Sequence, residues 1–463
     1  MKYVSTRGTA PVLTFGDVLL AGLARDGGLY VPESWPALDA GALARFADLP
    51  YAEVATEVMW PFVEGSLDRD AFAAIVTDAY ATFDDPDVVP LRDLGDGLWL
   101  MELFHGPTLA FKDVALQLVG RLFDHELAHR GESVTIVGAT SGDTGSAAIE
   151  ACRDRAAIEV FIMHPAGRVS EVQRRQMTTV DAANIHNIAI EGDFDDCQDL
   201  VKAMFADESF RDRRHLSAVN SINWARVLAQ VVYYVVGSAR LTGGRSPVAY
   251  SVPTGNFGNI FAGYGAQRMG VPITQFIVGS NRNDILPRFL ETGTMRMDGV
   301  EPTLSPSMDI QISSNFERLL FELYGRDGEQ VVDAMARFRA EGSYTVDEDR
   351  RGLLHEHWSG RRIDDDETKA IIARVFERTG EIIDPHTAVG IGAAEAARRD
   401  PDVPLISLAT AHPAKFPDAV EAAIGRRPAL PDRLADLFER EEHYVTVPND
   451  LDAVRAYIDT TLG

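Results

Sequence analysis

The sequence predicts an α/β protein: two parallel sheets with crossover helices and a cleft between them, preceded by a small, mainly helical domain. Three observations carry this prediction. At 463 residues the chain exceeds one ordinary hydrophobic core, so two or three domains are expected. Three strand, loop and amphipathic-helix units then follow one another, "SVTIVGATSGDTGSAAIEACR", "IEVFIMHPAGRVSEVQRRQM" and "NIHNIAIEGDFDDCQDLVKAMFAD", which implies parallel strands with helical crossovers. The same grammar returns after a long helix, "NWARVLAQVVYYVVGSARLTG", in "SPVAYSVPTGNFGNIFAGYGAQRMG" and "ITQFIVGSNRNDILPRFLETG".

Taken in order, residues 1–92 alternate helical patterns such as "TFGDVLLAGLARDG" and "PYAEVATEVMWPFV" with Pro and Gly breaks, which predicts a helical N-terminal domain with little strand. The run "DDPDVVPLRDLGDG" reads as a linker into a main region over 93–430. Within that region a smaller α/β part is expected at about 130–215 and a larger one from the rest. Residues 291–370, with charge-rich stretches such as "RRIDDDETK", read as an insertion or helical excursion. The block "VPLISLATAHPAKFPDAVEAAIG" restores one more strand and helix, and 431–463 form a C-terminal segment.

Bulk chemistry narrows the function classes. With 46% hydrophobic and 25% charged residues the chain is a folded globular protein. A formal charge of −26 argues against nucleic acid and anionic membranes, because both demand a basic face. Cys152 and Cys197 stand outside any CxxC pattern, so neither a disulfide framework nor a cysteine zinc site is expected. The opening "MKYVSTRGTAPVLTF" has no apolar run fit for a signal or spanning helix, and a cytoplasmic location follows as the expectation.

Only five of the 44 basic residues are lysine, Lys2, Lys112, Lys202, Lys369 and Lys415. Arginine cannot lose its proton near neutral pH, whereas a lysine with a lowered pKa becomes a nucleophilic amine able to form a Schiff base. Lys112, in "HGPTLAFKDVALQ", shares a helical face with Leu116, Val119 and Phe123. Burial and the positive end of the helix dipole would both lower its pKa, and the bland alternative is a stem that snorkels to solvent. Two Gly-rich turns, "GATSGDTGS" (138–146) and "PTGNFGN" (253–259), sit between strand and helix, where backbone N–H groups converge on an anion. Neither matches the dinucleotide fingerprint or the P-loop, and each alone is also plain strand-to-helix geometry. One motif competes: "HELAH" matches H-E-x-x-H, with His125 and His129 as zinc ligands and Glu126 as general base of a hydrolase. Both histidines nevertheless fall more than ~120° from the apolar stripe of that helix, and no third ligand follows.

In this order, "LFHGPTLAFKD", "GATSGDTGSAA", "NSINWAR", "PTGNFGN", "DPHTAVG" and "TAHPAKF" resemble the long bacterial and fungal class of threonine synthase, as do the openings "YVSTRG" and "GLARDGGLYVPE". The resemblance covers nearly the whole chain. It implies the fold type II, tryptophan synthase beta-like architecture of pyridoxal phosphate enzymes, with the cofactor between two α/β domains. Lys112 would then carry pyridoxal 5'-phosphate through its amine, with Phe111 beside it, and Gly255, Asn256, Phe257, Gly258 and Asn259 would wrap the phosphate. Thr140, Ser141, Gly142, Asp143 and Thr144 would receive the substrate carboxylate. Asp143 stands where the wider fold group usually has Asn, as in the long threonine synthases. Thr410 would face the pyridine nitrogen, and a neutral hydroxyl there does not hold the ring protonated. Asn223, Arg226 and Lys415 would lie near the substrate phosphate.

The implied reaction converts O-phospho-L-homoserine and water to L-threonine and phosphate, the last step of threonine biosynthesis, in a monomer or dimer. Lys112 would shuttle protons at Cα and Cβ before phosphate leaves Cγ and water adds at Cβ. A same-fold dehydratase or threonine synthase-like phospholyase would share every cofactor residue and differ in how water is handled. The zinc hydrolase and a cofactor-binding protein without catalysis are the alternatives of other classes.

Overall fold

Two sheets form, one mainly and one wholly parallel, one in each of the compact units into which the chain divides. The computed structural model describes residues 1–39, 41–218 and 220–463. The first unit comprises Met1–Leu19, Leu23–Ala115 and Ser221–Pro428, and the second Leu20–Gly22, Leu116–Asn220 and Ala429–Gly463.

In the first unit a six-stranded sheet runs, in spatial order, Trp358–Arg362, Ile273–Ser280, Val248–Pro253, Leu405–Ala409, Leu98–Glu102 and Leu91–Gly95. All neighbours are parallel except the last pair. Val248–Pro253 and Leu405–Ala409 are buried at every position, as befits central strands covered on both faces. Helix Pro385–Ala397 seats Ala388, Val389 and Ile391 in one core with Ala249, Ile277 and Leu405. Asp384 caps its first turn by accepting from the His386 and Thr387 N–H groups.

The N-terminal residues fold into this same unit. Helix Tyr51–Val63 forms as its apolar spacing predicts and is followed by helix Arg69–Tyr80, whose Tyr80 hydroxyl donates to the Val114 carbonyl at 3.2 Å. Some strand is present as well, since Tyr3–Ser5 pairs antiparallel with Tyr30–Pro32. Beneath them Arg318, fully buried, donates to the Tyr30 and Ile222 carbonyls at 3.1 and 2.6 Å.

In the second unit five strands, Val445–Pro448, Ile185–Glu191, Ile158–Pro165, Val134–Ala139 and Leu216–Ser217, are all parallel. Its core joins Val137, Phe161, Ile188 and Leu200 to Val447, Val454 and Ile458 from the C-terminal segment. Gly120 has no room for a side chain, because a Cβ there would lie 2.3 Å from the Ala151 carbonyl oxygen.

Three strands depart from the sequence expectation. The run read as a linker holds Leu91–Gly95, an antiparallel edge strand whose Arg92 and Asp93 face solvent and hide any apolar pattern. The stretch read as an excursion is largely helical, yet its Trp358–Arg362 closes the other edge of the sheet. Gly360 permits this, since a Cβ there would approach the Pro287 Cα to 2.7 Å. The C-terminal segment, to which the sequence reading assigns no strand, contributes Val445–Pro448 to the second sheet. Among the described residues no helix is long and apolar enough to cross a membrane.

If the C-terminal helix is integral to the second core, Ile458→Ala should destabilise that unit by about 2–4 kcal/mol, read as a lower urea midpoint. An unchanged midpoint would show that residues 451–462 contribute no core.

Candidate active site

Parallel strands bring their carboxyl ends to one edge of a sheet, and the loops that leave there are where ligands bind in such folds. Leu98–Glu102, Leu405–Ala409 and Val248–Pro253 are parallel neighbours in the first unit. They deliver three segments side by side: 103–112, 410–416 and 254–259.

Leu109 adopts a left-handed backbone (φ 63°), and from there the chain runs antiparallel to 410–412. The Phe111 N–H donates to the Thr410 carbonyl at 2.8 Å and the His412 N–H to the Leu109 carbonyl at 3.0 Å. Lys112 is thereby the first residue of helix Lys112–Arg130, half-buried, with Nζ 5.9 Å from the centre of the Phe111 ring. Leu116, Val119 and Phe123 lie buried along that helix.

Below Lys112 sits a knot that sequence reasoning missed. Asp113, fully buried, accepts from the Thr108 N–H at 2.8 Å and the Thr108 hydroxyl at 2.7 Å. The buried Lys415 ammonium donates to the Thr108 carbonyl at 2.6 Å. Gly106 makes room, for a Cβ there would lie 2.4 Å from the Asp113 Cβ. Burial pushes the Asp113 carboxyl up to about 6, against the opposing pull of the Thr108 hydrogen bonds and the Lys415 charge. His412, pushed down to about 4 by burial and by His105, is neutral and accepts from the Ala414 N–H at 3.2 Å.

Gly255–Asn259 forms the turn into helix Gly258–Arg268, with Phe257 at its N-cap in the left-handed region (φ 64°). The first N–H groups of such a helix have no intrahelical acceptor. Buried Asn259 accepts through Oδ1 from the Tyr233 and Tyr234 hydroxyls at 2.5 and 2.9 Å. Its Nδ2 is buried with no hydrogen-bond partner, an amide donor awaiting an acceptor at a helix N-terminus. Asn223 and Arg226 stand at the start of helix Trp224–Thr242. The Asn223 amide is engaged on both sides, capping Ala225 N–H at 2.9 Å and donating to the Leu19 carbonyl at 2.8 Å. Arg226 is buried beside Tyr233, and burial lowers its pKa to about 10.

The other Gly-rich turn belongs to the second unit. Thr140 Oγ1 accepts from the Gly142 and Gly145 N–H groups at 2.9 Å each, so two donors that the sequence offered to an anion are used inside the turn. Gly142 (φ 141°) leaves space for the Gln173 amide, and Gln173 Nε2 donates to Asp143 Oδ1 at 2.8 Å. Ser141 is exposed and Thr144 half-buried. Nothing in the local pattern announced Gln173, which lies two elements away on helix Glu171–Thr178. As for "HELAH", His125 and His129 are exposed, while Glu126 accepts from Arg130 one turn on at 2.6 Å. Among the described residues, no group of three or more His, Cys, Asp or Glu side chains is placed to hold a metal ion.

In the first unit, then, the Lys112 amine, the neutral Thr410 hydroxyl and the partnerless Asn259 amide at a helix N-terminus stand at one sheet edge. That donor set fits an aldehyde cofactor anchored by its phosphate, and residues 87–349 match the family described as pyridoxal-phosphate dependent enzyme. The class is that of the pyridoxal-phosphate dependent enzymes. Residues 2–80 match the threonine synthase N terminus and 387–458 the threonine synthase C-terminal family. A threonine synthase of Pseudomonas aeruginosa is 56% identical over 459 residues, 99% of this chain and 98% of that one. The crystal structure of a PLP-bound threonine synthase from Brucella melitensis superposes with a TM-score of 0.98 at 51% identity, covering 100% of this chain and 99% of that one. A human threonine synthase-like 2 is 35% identical over 95% of this chain and 93% of its own length. The chain belongs to the threonine synthase family.

The Asp113 knot has a pH signature. Its folded pKa of about 6 lies above the ordinary 3.8, so the folded protein binds this proton more tightly than the unfolded chain. Its contribution to stability is greatest at acid pH and declines as pH rises through that window. Relative to Asp113→Asn, wild-type stability should fall by a few kcal/mol between pH 4 and 7. Parallel pH profiles of the two proteins in denaturant would contradict the assignment.

Proposed function

We propose that this protein converts O-phospho-L-homoserine and water to L-threonine and phosphate, with Lys112 as the catalytic residue. The observation that supports it most is the placement of Lys112 at a helix start pinned to Thr410, on the same sheet edge as the Gly255–Asn259 turn. Pyridoxal 5'-phosphate, when bound, supplies an electron sink for the carbon that loses a proton.

The chain's own residues do the rest. Lys112 Nζ would hold the cofactor and, once the substrate amine has taken its place, would be the free amine that moves protons at the substrate Cα and Cβ. Phe111 packs beside it. Asn256, Phe257 and Gly258 offer backbone N–H groups to the cofactor phosphate, with Gly255 opening the turn and Asn259 Nδ2 as a side-chain donor. Thr410 would offer a neutral hydroxyl to the ring nitrogen, which would not hold the ring protonated, so the outcome would depend on where protons are moved. Thr140, Ser141, Asp143 and Thr144 receive the substrate carboxylate through hydroxyl and backbone N–H groups, Gly142 permits the turn, and the Asp143 carboxylate is held by Gln173. Arg226 and Lys415 serve the substrate phosphate, and Asn223 fixes the helix start that carries Arg226. A buried arginine gains most from an arriving dianion, because burial has already removed the water that would compete. The acidic composition and two free, buried cysteines fit a reducing cytoplasm.

Lys112→Ala should cut turnover by at least about 1,000-fold while leaving the circular dichroism spectrum unchanged. Borohydride reduction of the wild type in pyridoxal phosphate should label the peptide bearing Lys112. Label on another lysine, or normal turnover in the variant, would sink the assignment. Threonine rather than 2-oxobutyrate as the product separates this reaction from a phospholyase of the same fold.

A further inference from the structure

We infer that residues 305–315 form a collar that holds the Gly255–Asn259 turn in its anion-binding conformation, with His386 as the positioning residue behind it. The inference rests on the reading of that turn as the cofactor-phosphate site.

The turn is gripped almost entirely by its carbonyls. Ser313 Oγ donates to the Gly255 carbonyl at 2.7 Å, and Asn315 donates to the Asn256 carbonyl through its backbone N–H at 3.0 Å and through Nδ2 at 2.9 Å. The Ser307 carbonyl lies over Gly255, where a Cβ would come within 2.5 Å of it. In a trans peptide the C=O and the following N–H point in opposite directions. With the carbonyls of Gly255 and Asn256 drawn onto the collar, the N–H groups of Asn256 and Phe257 are turned away from it. Two backbone donors are thus aimed on one side of the turn, together with the first N–H groups of helix Gly258–Arg268. Without the collar each of those peptides could rotate, and the donors would scatter.

The collar is anchored from behind. Asp384, buried at 0% exposure, accepts from His386 Nδ1 at 2.7 Å and also from the His386 N–H, the Thr387 N–H and the Thr387 hydroxyl. On the far side of the ring the Ser307 N–H donates to His386 Nε2 at 3.2 Å. A backbone N–H can only donate, so Nε2 is unprotonated and the ring's proton sits on Nδ1 toward Asp384. His386 is therefore a fixed acceptor whose bond sets the Ser307 peptide, and that peptide's carbonyl covers Gly255. Phe416 packs on the imidazole at 4.8 Å between ring centres. The collar's middle is tied by Asp309, which accepts from Asn281, Asn283 and Thr303, and its end by the Arg318 guanidinium on Asn315 Oδ1. The opening third of residues 291–370 thus has a task at the site.

The test compares two ligands of the full-length protein freed of cofactor, pyridoxal 5'-phosphate and pyridoxal, which lacks only the phosphate, each titrated by absorbance. If the collar acts through the phosphate turn, His386→Phe should lose about tenfold of the wild-type preference for the phosphorylated ligand, with pyridoxal affinity unchanged. Ser313→Ala should lose a smaller part of that preference. His386→Gln, whose amide oxygen can accept from Ser307, should recover most of it. Equal weakening of both ligands would show that the segment only supports the fold, and an unchanged preference would show no link to the phosphate; either overturns the inference. Should His386→Phe fail to fold, Ser313→Ala decides alone, since it removes one hydroxyl from a half-buried position. A wild type with no preference for the phosphate would overturn the reading of Gly255–Asn259 itself, and the collar with it.

Discussion

The antiparallel clasp between 109–111 and 410–412 is the constraint on which the Lys112 end of the molecule depends. Lysine at a helix start is held where nothing local would hold it, because helix termini fray unless tied down. Here the tie comes from the strand end next door, so the amine and the Thr410 hydroxyl are placed by one set of backbone hydrogen bonds. The left-handed Leu109 makes the clasp possible, and the Asp113, Thr108 and Lys415 knot stiffens it from below. A buried carboxyl with two strong donors and a nearby ammonium is costly to desolvate but specific in geometry, and specificity is what a reacting amine needs.

The chain's sparing use of lysine acquires a physical sense. Lys202 and Lys369 form surface pairs with Asp199 and Asp366 one turn away, and such pairs contribute little to stability. Arginine does the architectural work instead. Arg318 reaches two carbonyls and an amide from a fully buried position, for which its planar fork of donors is suited. Lys112 and Lys415 are the lysines set into the structure, one half-buried at the helix start and one wholly buried beneath it.

Much of this was legible from residue order. Strand and helix alternation announced both sheets, and the Gly-rich turns announced where backbone donors gather. The edge strands were not legible. Leu91–Gly95 and Trp358–Arg362 are short and carry charged residues, because an edge must resist further pairing and so lacks the apolar run that marks a central strand. The motif of Asn223 suggested a place near the substrate phosphate, and the structure engages its amide as a helix cap and on the Leu19 carbonyl. Gln173, Asn315 and His386 gave no local signal of what they touch, since each acts on a partner far away in the chain.

The sequence by itself determined the periodicities, and hence the α/β class, the glycines that the two turns require, and the family to which the motifs belong. Those are local properties: an apolar period, a positive φ or a close approach is set within a few residues. Tertiary structure decided which strand ends are neighbours, and with them that Lys112, Thr410 and Gly255–Asn259 share one sheet edge. It also decided that Gly142 and Gly145 give their N–H groups to Thr140, and that the Gly255 and Asn256 carbonyls are drawn to residues 313–315. Strand order and crossover are outcomes of packing many apolar faces at once, and no stretch of sequence contains that information alone.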